Sequence, residues 1–97
     1  MPEEKTSGKQ ARAHIRIHGK VQNVGFRFFI HRKAAGAGAC GWAKNADGYV
    51  EVVLEGDKNK LEECIEACRK GPLFSSIEKV DVSWEKPTGE FKVFEVR

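Results

Sequence analysis

The stretch AHIRIHGKVQNVGFRFFIHRKAAG, Ala13 to Gly36, changes its hydrophobic period midway. Its first part alternates, with Ile15 and Ile17 on one face and His14, Arg16 and His18 on the other, the pattern of a strand covered on one side. KVQNVG then reads as a loop. FRFFIHRKAAG has the composition of a helix that ends at Gly36 or Gly38. Working outward, WAKNADGYVEVVLEG gives two extended runs around NADG, and Asp47-Gly48 is a strong hairpin signal. DKNKLEECIEACRKGP places Leu61, Cys64, Ile65 and Cys68 at helical spacing, with Asp57 as N-cap and a stop at Gly71-Pro72. IEKVDVSW alternates through Val80, Val82 and Trp84, and FKVFEV follows the turn KPTGE.

The element order is therefore β-α-β-β-α-β, with room for one short extra strand at the end. This predicts an α+β, ferredoxin-like sandwich: an antiparallel sheet with two helices on one face and the other face open to water. The polar first dozen residues, with Pro2 and Gly8, read as a flexible tail over 1–12, which leaves one domain over 13–97. A chain of 97 residues is enough for one core and too short for two. With 40% hydrophobic and 32% charged residues and a net charge of +3, it reads as a soluble, mildly basic globular protein. No apolar run is long enough to span a bilayer, and the N-terminal stretch lacks a signal core, so a cytoplasmic location is expected. Three cysteines at spacings that match no disulfide framework agree with a reducing compartment.

Fold alone does not fix function, because this architecture carries enzymes, RNA binders, metal carriers and sensors. The loop KVQNVGFR sits where a strand meets a helix N-terminus, so several backbone amides converge on one point beside the positive end of the helix dipole. Gly25 can adopt the angles of such a nest, and Asn23 is among the few other residues that tolerate positive φ. Arg27, in the first helical turn, adds a planar fork matched to two oxygens of an oxyanion. The plain alternative is a strand-to-helix turn with a solvated arginine. Asn45 precedes the hairpin tip; its amide can hold a water by one group and a ligand oxygen by the other, though asparagine there also serves turn chemistry.

GKVQNVGFR from Gly19 to Arg27, GWAKN from Gly41 to Asn45 and DGYVE from Asp47 to Glu51, with Trp42 fifteen residues after Arg27, resemble the linked signatures of the acylphosphatases. The resemblance runs from Ala13 to Arg97 and implies the same fold. It also implies a hydrolase that cleaves the carboxyl-phosphate anhydride of acyl phosphates, giving carboxylate and inorganic phosphate without metal or cofactor. Carried over, the loop of Val21, Gln22, Asn23, Val24, Gly25 and Phe26 holds the phosphoryl oxygens with Arg27, and Asn45 orients the attacking water. Arg27 and Asn45 are then the catalytic residues. So sparse a site is sufficient, since a carboxylate leaves without protonation, and positioning plus charge stabilisation can carry the reaction. Asn23 replaces the family's usual glycine and is expected to crowd the phosphate or reshape the nest. Ala37 and Ala39 stand where the family commonly has leucines, an expected loss of about 2–5 kcal/mol for each fully buried leucine.

Other residues invite rival readings. His14 and His18 lie about 13 Å apart along a strand, too far to chelate one metal. His31, a turn beyond Arg27, reads as a surface helical histidine. Cys64 and Cys68, at helical spacing, look like core fillers, as does Cys40, and no disulfide is expected. Trp42 and Trp84 read as core or sheet-face packing, and EGDKNKLEEC as the solvated face of the second helix. An RNA-binding strand would need several aromatics where DGYVEVVLEG has only Tyr49, so no nucleic-acid partner is expected. The expectation is a monomer acting on a small-molecule acyl phosphate, without metal, cofactor or membrane. The alternative is a non-catalytic phosphate- or anion-binding regulatory module of the same fold.

Overall fold

The computed structural model describes residues 8–97. The elements run β1 (Gln10–Lys20), α1 (Phe26–Ala37), β2 (Cys40–Asn45), β3 (Tyr49–Asp57), α2 (Lys58–Lys70), β4 (Ser76–Glu85) and β5 (Phe94–Val96). The sheet order is β4-β1-β3-β2-β5. The first four strands pair antiparallel, and β5 runs parallel to β2. The sheet is thus mixed rather than wholly antiparallel, because the short terminal strand returns along the β2 edge in the β2 direction.

β1 buries Ala11, Ala13, Ile15 and Ile17 and turns Arg12, His14, Arg16 and His18 to the other face. Residues 10–12, expected in the tail, are therefore strand: Ala11 pairs with Gly56 and continues the buried row. A small alanine carried too little hydrophobic signal to extend the alternation. Of the rest of that expected tail, Gly8 and Lys9 hydrogen-bond to Asp57 and Lys58 respectively, and residues 1–7 lie outside the described residues.

Phe26, Ile30 and Ala34 turn α1 onto the sheet, and Gly38 closes it at φ 67°. α2 buries Leu61, Cys64, Ile65 and Cys68; the Asp57 carboxylate caps it by accepting the Lys60 amide at 3.2 Å. Together with Val50, Val52 and Leu54 of β3 these side chains form one core between helices and sheet. Ala39 is buried there, facing Leu61 and Gly56, whereas Ala37 is half-buried and packs against the same core.

The second sheet face is not simply open. Residues 86–93 cross it at the end where β1 begins: the Phe91 ring lies 5.4 Å from the Arg12 guanidinium, and Cys40 Sγ donates to the Phe91 carbonyl. Beneath them Glu55 is 4% exposed. It accepts hydrogen bonds from Arg12, the Thr88 amide and hydroxyl, and the Gly89 amide. Glu55 therefore does not belong to a solvated helical face: it lies on β3, under this crossing. Cys40 is likewise half-buried on this face rather than in the core.

Candidate active site

At the opposite end of the sheet β1 has to turn into α1. Its register against β4 shifts between His18 and Gly19. Gly19 sits at φ 128°, where a Cβ would stand 2.1 Å from the Ser76 carbonyl oxygen, so the close approach requires glycine. Val21 and Phe26 are buried and anchor the two ends of the loop, while Gln22 and Val24 are half-buried and Asn23 and Gly25 exposed. Asn23 and Gly25 take φ 63° and φ 76°, the left-handed angles of an anion nest. Asparagine can follow the backbone path of the family glycine. Gly25 caps α1 without a side-chain hydrogen bond, and the first turn holds no acidic residue. The positive end of the helix thus meets no carboxylate within its own first turn.

Arg27 is half-buried and donates from Nη1 to the backbone oxygen of Arg97. Among the described residues the rest of its fork has no acceptor, so donors remain for an anion. The Arg97 amide donates to Ala43 at 2.8 Å, and its guanidinium lies 5.0 Å from the Trp42 ring, which Lys44 approaches at 5.2 Å. Arg27 is in this way docked on the end of β5, beside β2. Asn45 closes β2, exposed, opposite Val50. Its side chain makes no hydrogen bond among the described residues.

Gln22 joins the two motifs. Its Nε2 donates to the carbonyls of Ala46, at 2.7 Å, and Tyr49, at 3.0 Å, clamping the loop onto the hairpin that carries Asn45. Segments 21–27 and 42–49, separate in sequence, are thereby tied to each other. Sequence reasoning assigned Gln22 a backbone role alone and missed this clamp and the Arg97 contact. The only local signal for the first was a two-donor amide beside a loop with spare carbonyls.

The rival residues lie elsewhere. His14 bonds Glu51 at 2.6 Å and His18 lies 5.2 Å from Tyr49, both on the second sheet face. His31 is exposed, its ring 5.9 Å from Phe94. The three cysteines are free. Burial pushes the Cys64 thiol up to about 11 and that of Cys68 to about 12, leaving both unreactive as nucleophiles. Trp42 and Trp84 are sheet-face residues, the latter beside Lys58. Among the described residues no group of three His, Cys, Asp or Glu side chains could hold a metal ion, and no helix is long and apolar enough to cross a membrane.

Known proteins share this fold and much of its sequence. The acylphosphatase family model matches residues 13–96. The acylphosphatase of Thermococcus kodakarensis is 45% identical over 82 residues, covering 84% of this chain and 90% of its own. That of Roseiflexus sp. is 44% identical over 87 residues, covering 89% and 94%. The crystal structure of the Bacillus subtilis acylphosphatase superposes with a TM-score of 0.86 at 33% identity, over 90% of this chain and 98% of that one. With the family model matched over 13–96 and relatives above 40% identical over most of both chains, the chain belongs to the acylphosphatase family.

Proposed function

We propose that this protein is a metal-independent hydrolase of acyl phosphates in which Arg27 and Asn45 act on a phosphoryl group held by the loop from Val21 to Phe26. Family membership carries the hydrolase activity and lends no support to a purely anion-binding module. The assignment of roles rests above all on the Gln22 clamp, which couples the uncapped start of α1 and Arg27 to the hairpin of Asn45.

In this reading the amides of residues 21–26 and the free part of the Arg27 fork bind the phosphoryl oxygens. Their partial and full positive charge is worth most where negative charge builds on those oxygens in the transition state. The Asn45 side-chain carbonyl accepts a hydrogen bond from the attacking water, and its NH₂ donates one to a phosphoryl oxygen. Water oxygen bonds to phosphorus as the bond from phosphorus to the carboxyl oxygen breaks. The electron pair leaves with the carboxylate, and the water proton ends on inorganic phosphate. No side chain has to supply an acid, because the leaving carboxylate is stable unprotonated. The three free cysteines suit a reducing, cytoplasmic setting, and the proposed form is a monomer.

The test is hydrolysis of benzoyl phosphate with and without EDTA, with inorganic phosphate as inhibitor. Turnover indifferent to EDTA and competitively inhibited by phosphate is expected. Phosphate binding without turnover would instead establish the anion-binding module, and loss of turnover in EDTA would refute metal independence.

A further inference from the structure

Five large apolar residues remain exposed among the described residues: Phe28, Leu73, Phe74, Trp84 and Val93. Trp84 and Val93 lie at the far end of the sheet, near the ends of β4 and β5 that face away from the site. Phe28 is in the first turn of α1, and Leu73 and Phe74 occupy the turn from α2 to β4. That turn is next to the phosphate loop. Its last residue, Ser75, leads into Ser76, which pairs with Lys20 immediately before Val21. Its first side rests on the loop's own anchor, since a Cβ on Gly71 would stand 3.1 Å from the Phe26 ring.

The turn is held in a defined shape. Both the amide and the hydroxyl of Ser75 donate to the Pro72 carbonyl, at 3.2 and 2.6 Å. Phe74 sits at φ 72°, and Asn23 is the only other non-glycine residue with positive φ among those described. Asparagine has a local hydrogen-bonding reason to accept this conformation; phenylalanine has none, and its backbone is strained there. Folding thus holds two apolar side chains, Leu73 and Phe74, each 78% exposed, out beside the cradle at a cost in backbone strain. Stability gives no reason for this, whereas an apolar ligand surface does.

We infer that the Pro72–Ser75 turn is the acyl-side wall of the site: Leu73 and Phe74 cover the organic part of the substrate, giving preference for aromatic and longer aliphatic acyl phosphates over acetyl phosphate. This rests on the hydrolase reading above. In this reading water attacks from the Asn45 side, so in-line displacement sends the carboxylate out on the opposite side of the phosphoryl group; β4, into which the turn leads, flanks β1 on the side away from β2. An aromatic or long acyl group reaches apolar surface there and a methyl group does not.

The experiment compares kcat/KM for benzoyl and acetyl phosphate in the wild type, Leu73→Ser and Phe74→Asn, the last chosen because asparagine accepts the left-handed backbone. Dividing each variant's selectivity by that of the wild type cancels the different intrinsic reactivity of the two anhydrides. The benzoyl-to-acetyl selectivity is expected to fall about five- to tenfold in each variant, as for losing roughly 50 Å² of apolar contact. Equal losses on both substrates, or unaltered selectivity, would overturn the wall while leaving the hydrolase reading intact. A wild type that cleaves neither substrate would remove the hydrolase reading and the wall with it.

Discussion

Replacing Glu55 by glutamine should remove a large part of the stability of this fold without touching its chemistry. The carboxylate lies beneath the 86–93 crossing and receives four hydrogen bonds of 2.9–3.0 Å, from Arg12, the Thr88 amide and hydroxyl, and the Gly89 amide. Burial alone would push its pKa up. The Thr88 amide, the Arg12 guanidinium, the Gly89 amide and the Thr88 hydroxyl outweigh burial and hold it at about 2, against an ordinary value of 4.5. At about 1.4 kcal/mol per pH unit, the drop is worth roughly 3 kcal/mol of folding free energy. Because the folded pKa is the lower one, that contribution is complete above the unfolded value of 4.5 and fades as pH falls toward 2. A glutamine would turn an NH₂ against donors and forfeit it at every pH. Urea denaturation at pH 7, 5, 3.5 and 2.5 measures the effect. Glu55→Gln should lose roughly 3 kcal/mol at pH 7, with the gap narrowing below pH 4.5. Its turnover at pH 7 should stay near wild type, since the site is at the other end of the sheet. A gap under about 1 kcal/mol at pH 7, or one that does not shrink in acid, would refute the reasoning.

Other perturbations probe the positioning of the site. Gln22→Ala unclamps the loop from Ala46 and Tyr49 and should lower kcat/KM for benzoyl phosphate about tenfold, with little change in thermal midpoint; a wild-type rate would show that the clamp does not matter. Gly19→Ala forces a Cβ against the Ser76 carbonyl and should cost more than about 2 kcal/mol in chemical denaturation. Asn23→Gly keeps the φ of 63° while removing the side chain from the loop, so turnover should rise; steady or reduced turnover would mean that Asn23 does not crowd the phosphate.

What the sequence made legible was local. The alternation of Ile15 and Ile17, the Asp47-Gly48 hairpin, the Asp57 cap and the spacing of Leu61, Cys64, Ile65 and Cys68 each express a period or a cap that a few neighbouring residues determine. The fold followed from their order. The residues that escaped notice act across the chain: Glu55 meets Thr88 and Gly89 over 33 and 34 positions, Gln22 meets Ala46 and Tyr49 over 24 and 27, and Arg27 meets Arg97 over 70. Such partners leave no periodic trace. Glu55 lies within the charge-rich run EGDKNKLEEC, and only the register of β3 reveals that it faces away from α2. The direction of β5 was illegible for a related reason: three residues can pair with either edge, and tertiary packing selects β2. The candidate site was more legible than these because the loop and the asparagine strand are each short motifs; what joins them is again a long-range hydrogen bond.

The most direct measurement of the central claim is single-site kinetics on benzoyl phosphate for Arg27→Ala and Asn45→Ala, each verified as folded by circular dichroism and thermal midpoint. The account predicts that kcat falls by about 10²–10³ in Asn45→Ala and by at least as much in Arg27→Ala, while phosphate inhibition weakens mainly in the arginine variant. A folded variant of either residue that turns over within a few-fold of the wild type would contradict the roles assigned to this loop and hairpin.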